Sequence, residues 1–357
     1  MKKLVSLLLC IAMLGGVCLF AVSCDSAKTN DTAATTAPET TASPEEEKYA
    51  QALALLESRN YEEAKALFEE LGDYEDAEEH LAKFQYFPTL IQFRLTDVSG
   101  KLEISLNENN LPAYTVSDTT NPGKRGELVY DEKGQVIRQI VDVEGEGTYT
   151  FDYTRDANGN MTKALYTGPN GEWYAYHYKY NEKDLLTEEC GEDAEGISYV
   201  YTIEYDENWH DLRAEYAEGG ELIFSYDYTY DANGNMSRRV QKYGDEVAFA
   251  IDFTRDANGN VIKEVYSEGA DGVVAGTSEY TYDENGRQIK AVYTDGEGYV
   301  ETLLSTYDEH GNLIKEECSD TEGSVQFVET QYVLTYIPFV YSEAYMAYLS
   351  TFWNVKG

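Results

Sequence analysis

Positive charge is what this chain has least of. Its 357 residues hold 27 lysines and arginines against 66 aspartates and glutamates, a formal net charge of −39. That sign repels phosphate backbones and anionic headgroups, so electrostatic recognition of nucleic acid or anionic lipid is excluded. Histidine is scarce too. His80, His177, His210 and His310 have neither metal-ligand spacing nor a nucleophile pattern beside them. There is no phosphate loop, dinucleotide fingerprint or serine elbow. A non-catalytic protein with no metal and no cofactor is expected. A carboxylate-dependent extracellular hydrolase is the alternative, because 66 acids always supply pairs and nothing singles one out. Tryptophan (3) and phenylalanine (12) are outnumbered by 32 tyrosines. Tyrosine has an apolar body and a polar tip and suits half-wet surfaces.

One long hydrophobic run, Leu4–Val22, comes after Lys2 and Lys3. It reads as a secretion signal or an N-terminal membrane span. Its ending, Ala21-Val22-Ser23-Cys24, resembles the lipobox of bacterial lipoproteins. The resemblance implies removal of residues 1–23, lipidation of Cys24 and a bacterial envelope protein facing outside the cytoplasm, held to the membrane by its lipid. Residues 24–46, rich in Thr, Ala, Ser and Pro, have no apolar periodicity and read as a disordered tether. Cys10 and Cys18 fall in the signal; Cys190 and Cys318 remain for the mature protein.

Residues 47–86 carry helical periodicity. Ala52, Leu55 and Leu56 form one stripe; Ala64, Leu67, Phe68 and Leu71 form the next. Asn60 with Glu63 reads as a helix start and Gly72 as a stop. Asp73 is positioned to cap a third helix through Leu81. The run NYEEAKALFEELGDYEDA (Asn60–Ala77) resembles tetratricopeptide-like hairpins. About three copies make such an array stable, and here there are one and a half. An amphipathic helix pair docked on the C-terminal body of the chain is favoured over a peptide groove.

That body, residues 87–340, is periodic. With Tyr130, Arg155, Tyr180, Tyr205, Tyr230, Arg255, Tyr282 and Tyr307 as position zero, successive steps are 25, 25, 25, 25, 25, 27 and 25. The copies read YDEKGQVI, RDANGNMT, YNEKDLLT, YDENWHDL, YDANGNMS, RDANGNVI, YDENGRQI and YDEHGNLI, with a degenerate LNENNLPA at Leu106. A fixed period means one supersecondary unit stacked on itself. Before each zero, alternate residues are aromatic or aliphatic, as in Tyr149, Phe151 and Tyr153, the mark of a two-faced strand. Asp-x-x-Gly then makes the turn, with glycine in the left-handed position: Gly134, Gly159, Gly234, Gly259, Gly286 and Gly311. In two copies Asp184 and Trp209 replace the glycine, and those turns are expected to differ. DANGN also looks like the start of an EF-hand loop, but that loop requires glycine sixth and glutamate twelfth. Met161 and Thr167 stand there, so a turn is favoured over a metal site.

YDxxGN with tyrosine-rich strands resembles the YD, or RHS, repeat of bacterial surface and toxin proteins and of teneurins. The resemblance covers about Leu106–Pro338 and implies β-hairpins stacked into a curling sheet. The fold expected is mainly β: an extended, curling antiparallel meander of eight to nine hairpins, a small N-terminal helical segment and, over residues 341–357, a C-terminal capping helix. A toxin-associated shell fragment is a second alternative function, disfavoured because no terminal core signature or toxin domain is present after the repeats.

A three-residue turn would set zero against +6 and −2 against +8. Position +8 is basic in seven of eight copies (Arg138, Lys163, Arg213, Arg238, Lys263, Lys290, Lys315), which would lay cations over rings. A two-residue turn would put that column on the other face. The main functional expectation is a surface scaffold or binding module whose tyrosine-lined sheet takes a glycan, wall polymer or surface protein. Candidate ligand-binding residues are Tyr153, Tyr176, Tyr178, Tyr201, Tyr226, Tyr228, Arg238 and Lys263. The alternative is that these rings are only core. Cys190 and Cys318 lie about ten strands apart, roughly 48 Å along a flat sheet, and are expected to be free thiols.

Overall fold

The computed structural model describes residues 43–94, 99–106, 112–118, 123–131 and 135–336. The expected signal, Cys24, Gly134, nearly all of the tether and the C-terminal helix lie outside these residues. The chain divides into two compact units, one of the N-terminal segment through Gln85 with the segment from Leu334, the other Tyr86–Val333.

In the first unit, helix α1 (Pro44–Glu57) begins three residues before the sequence boundary. Ser43 explains it. Its hydroxyl accepts from the Glu46 N–H while the Glu46 carboxylate accepts from the Ser43 N–H, and proline sits at the helix start. Helix α2 (Tyr61–Leu71) buries Ala64, Phe68 and Leu71 and ends at Gly72 with φ +59°. Helix α3 (Ala77–Leu81) starts after Asp76 rather than Asp73. Phe68 stacks on His80 with centroids 4.6 Å apart. His80 Nδ1 lies 2.6 Å from the Tyr336 hydroxyl.

Twenty strands come next, from β1 (Phe84–Arg94) to β20 (Val325–Tyr336). Each strand pairs antiparallel with its successor, and β1 also pairs with β20. Thr89 Oγ1 donates to the Gln331 carbonyl at 3.4 Å. Each sequence repeat is one hairpin. In β6 (Gly147–Arg155) and β7 (Met161–Thr167), Arg155 opposes Met161, and all eight copies pair zero with +6 in this way. The aspartate drives the corner. Asp231 Oδ1 accepts the N–H groups of Asn233 and Asn235, while the Asp231 N–H donates to the Asn235 carbonyl at 2.8 Å. Gly234 takes φ +82°.

Two expectations need correction here. First, the turns at Asp184 and Trp209 do not differ. Both residues adopt the left-handed backbone, φ +58° and +66°, and keep the same hydrogen bonds. Asp184 gains something in exchange: its Oδ1 accepts from the side-chain amides of Asn158 (2.9 Å) and Asn160 (2.7 Å) in the preceding turn. Second, −2 does not oppose +8. A bulge succeeds zero in every copy, so Thr154 (−1) opposes Lys163 (+8) and Tyr153 (−2) opposes Ala164 (+9). The extra residue at +7 reverses the facing of everything after it. Where it carries a hydroxyl, that group donates to the −1 carbonyl: Thr162 to Thr154, Thr187 to Lys179, Ser237 to Thr229.

The basic column therefore lies on the face away from the rings, and there it meets acids. The +8 residue opposes the −3 residue of the next copy. Arg138–Asp152, Arg213–Asp227, Arg238–Asp252, Lys263–Glu279 and Lys315–Glu329 are cross-strand ion pairs. Four residues further along the same face, position +12 opposes an apolar residue in seven consecutive copies. These are Trp173, Ile197, Leu222, Val247, Val274, Val300 and Val325. In four of these hairpins a second bulge preserves that register where the inter-repeat turn alone would not.

Candidate binding face

Consecutive copies are tied together at position zero. The hydroxyls of Tyr180, Tyr205, Tyr230, Tyr282 and Tyr307 donate to the carbonyls of Met161, Leu186, Asp211, Val261 and Gln288, at 2.6–3.0 Å. Each acceptor is the +6 carbonyl of the preceding copy. Arg255 does the same work in place of tyrosine: Nη2 reaches the Met236 carbonyl at 3.4 Å, and Nη1 the Gly259 carbonyl of its own turn at 3.0 Å. His210 stacks on Tyr230 and the Arg287 guanidinium lies over Tyr307. The zero tyrosine is thus the fastener between hairpins.

With that spacing held, the −2, −4 and −6 side chains line up on one face. Tyr153, Tyr176, Tyr178, Tyr201, Tyr226 and Tyr228 all stand there, each half-buried. Between their columns runs position +9. Ala164 opposes both Tyr153 and Tyr176, and Ala214 opposes Tyr226. Glu189 opposes both Tyr178 and Tyr201, and Arg239 opposes Tyr228. The face therefore alternates small, acidic and basic spacers between ring rows. The Arg239 guanidinium sits 5.3 Å from the Tyr226 ring centre.

The structure separates the remaining two predicted residues from this group. Arg238 and Lys263 lie on the opposite face in the ion pairs described above. The sequence reading also missed a ring column. Position +11 supplies Tyr166, Tyr216, Tyr266 and Tyr293 to the aromatic face. Tyr216 stacks between Tyr199 (5.4 Å) and Phe224 (4.9 Å), and Tyr166 packs on Phe151 at 5.2 Å. The same period, applied to the second strand, carries the signal. At Gly191 the ring of this column is absent, and the space it would fill is taken by the neighbours: a Cβ there would stand 1.8 Å from the Tyr174 hydroxyl.

Burial holds Tyr178, Tyr201 and Tyr228 in the neutral form. Burial lifts the Tyr178 hydroxyl well above the usual tyrosine range, aided by the Glu189 charge. Burial does the same to Tyr228 and Tyr201. Tyr199 is raised by burial and by its hydrogen bond to Glu189. Tyr216 is pushed up to about 12, first by its hydrogen bond to Glu218. The chemistry on offer is ring stacking and neutral hydroxyl hydrogen bonding, with Glu189 and Arg239 as charged fixed points. Among the described residues, no group of three or more His, Cys, Asp and Glu is arranged to hold a metal ion. Neither Cys190 nor Cys318 is in a disulfide, and the Cys318 thiol donates to Glu301 Oε1 at 2.7 Å.

No family model and no curated protein matches the chain. Among solved structures, a Photorhabdus luminescens Tc holotoxin pore aligns at 15% identity and TM-score 0.35, over 66% of this chain and 15% of that one. A TcdB2-TccC3-Cdc42 structure aligns at 13% identity and TM-score 0.34, over 68% and 15%. A porin-like protein from Bacteroides uniformis aligns at 12% identity and TM-score 0.35, over 70% and 98%. This chain spans about 15% of the length of the Tc toxin chains, and no function passes to it from them.

Proposed function

We propose that this protein is a non-catalytic binding module, carried outside the cytoplasm on a lipidated Cys24, whose aromatic face takes a polysaccharide of the envelope or surroundings. One observation carries the reading. Half-buried tyrosine rings recur on one face of the sheet at the repeat spacing, flanked by Glu189 and Arg239, with burial keeping Tyr178 and Tyr228 neutral. Flat rings match the apolar faces of sugar rings, and phenol hydroxyls with charged spacers match their hydroxyl groups. A periodic ligand meets a periodic surface, so weak contacts at successive hairpins multiply.

The test is retention of the mature chain on a glycan array and on insoluble wall polymer. Retention without release of reducing ends, lost in a Tyr176→Ala/Tyr201→Ala/Tyr226→Ala variant that still melts cooperatively, supports the reading. Failure to retain any polymer, or equal retention by that variant, removes it; release of sugar ends in proportion to protein shifts the reading to the hydrolase. The anchor is tested separately by mass spectrometry of the membrane fraction. A diacyl or triacyl mass on Cys24, lost in Cys24→Ala, is the expected result.

A further inference from the structure

The opposite face carries a feature that glycan binding does not use. Seven consecutive hairpins place an apolar residue at the same register, next to the turn that joins one copy to the next. Packing does not account for it. Ile197 is 63% exposed, Val274 53% and Val325 48%. Nor does chance drift of the turns, since four of those turns differ in register by a bulge yet return the apolar side chain to the same face. A register restored by four separate irregularities is a constraint on position.

The turns beside this stripe have one sign of charge. From Gly168-Pro-Asn-Gly-Glu172 through Asp320-Thr-Glu-Gly-Ser324, the seven turns contain 13 acidic residues and no lysine, arginine or histidine. A second copy of the chain would bring acid row against acid row, and an anionic membrane would be repelled in the same way. The complementary occupant is cationic and apolar together. Its spacing is set by the sheet. Successive copies are two strands apart, about 9.6 Å along the sheet. An α-helix advances about 10.5 Å in seven residues, so one apolar residue per heptad keeps step with one hairpin, and flanking lysines or arginines fall beside the turns.

We infer that the apolar stripe running through Ile197, Leu222 and Val274, with its acidic turns, is a docking surface for a cationic amphipathic helix of a partner protein lying across successive hairpins. Such a helix of four heptads spans four hairpins. Partner binding and polymer binding then use opposite faces of one sheet, and each can fail without the other.

The probe is a synthetic 28-residue lysine–leucine helix with one leucine-bearing face on a heptad repeat. Three controls accompany it: a scrambled peptide of the same composition, the same heptad peptide with glutamate for lysine, and phosphatidylglycerol vesicles. The full mature chain should bind the heptad peptide at least tenfold tighter than the scrambled one and should not bind the glutamate peptide or the vesicles. Ile197→Ser/Leu222→Ser/Val274→Ser, all at exposed positions, should weaken the heptad peptide at least tenfold while leaving the melting temperature and polymer retention unchanged. Equal binding of scrambled and heptad peptides, or an unaltered affinity in the triple variant, reduces the effect to general attraction of cations by an acidic protein and overturns the inference. So does binding to the vesicles, no binding at all, or a wild-type dimer that the triple variant abolishes.

Discussion

Removing the position-zero hydroxyls while keeping the rings tests how the hairpins are joined. In Tyr205→Phe the ring stays, and only the 2.6 Å bond to the Leu186 carbonyl is lost. One such bond is worth about 1 kcal/mol net, and somewhat more if the carbonyl is left without a donor. For a unit of this size about 1 kcal/mol lowers the melting temperature by about 2–4 °C. The five fasteners at Tyr180, Tyr205, Tyr230, Tyr282 and Tyr307 act on different hairpin pairs. Consecutive ones lie about 10 Å or more apart along the sheet, far enough for their effects to add. The five-fold phenylalanine variant should lose about 5 kcal/mol. Each bond joins one copy to the next, so the loss falls on the coupling between repeats. Urea unfolding should broaden, with a lower apparent m-value, as well as shift. Tyr243→Phe, at a 54% exposed ring near a turn, is the control and should melt like the parent. If the five-fold variant melts within about 1 °C of the parent with an unchanged m-value, the zero tyrosine is not the fastener.

The corners separate backbone strain from side-chain service. Trp209→Gly should stabilise the protein by about 1 kcal/mol, because it relieves a left-handed non-glycine residue, whereas Asp184→Gly should be near neutral in calorimetry, having given up the bonds from Asn158 and Asn160. Gly259→Ala, at φ +90° with open space around it, should cost about 1–2 kcal/mol from conformation alone. Backbone N–H groups of Asn235 and Asn233 hold the Asp231 carboxyl below the usual range. The advantage of the wild type over Asp231→Ala should therefore be full above about pH 4 and shrink as pH falls through the depressed value, measured by urea unfolding at pH 7 and pH 3. Glu316 runs the other way, its carboxyl raised by burial. Glu316→Gln should be more stable than the wild type at pH 7, and the gap should close as pH falls through the raised value and be gone below about 4.3.

The hairpin was legible because its causes are local. An Asp or Asn after position zero and a period-two run specify the turn and the strand, and the zero to +6 pairing holds in all eight copies, including the two without the turn glycine. The bulge at +7 was not legible. Thr162, Thr187, Leu212, Ser237 and Ile262 share no side-chain chemistry there, so the sequence does not mark the residue that is looped out. What fixes it is distant in sequence. With the bulge, Arg213 faces Asp227 and Arg238 faces Asp252, each 14 residues on; without it, those cations would lie among rings. The bulge is selected by the pairing of one copy with the next, which a reading of single hairpins does not see.

The same reasoning explains why the two faces had to be distinguished by structure. Position −2 and position +8 are both large, and either assignment gives a plausible contact. The ring face draws on +9 and +11, where alanine at Ala164 and Ala214 makes room for Tyr176 and Tyr226. The ion-pair face draws on +8 and +12. One inserted residue per copy sorts tyrosine from lysine over the whole array. The aromatic face can then hold an uncharged ligand while the other face keeps its charge paired along its middle and unpaired in sign at the inter-repeat turns. A variant lacking one +7 residue, such as deletion of Ser237, removes only the looped-out residue and leaves Arg238 opposite Thr229, facing away from the rings. It should therefore keep its strand content by circular dichroism and its polymer retention; loss of retention with the strands still paired would show that +7 is not the residue looped out of the ladder.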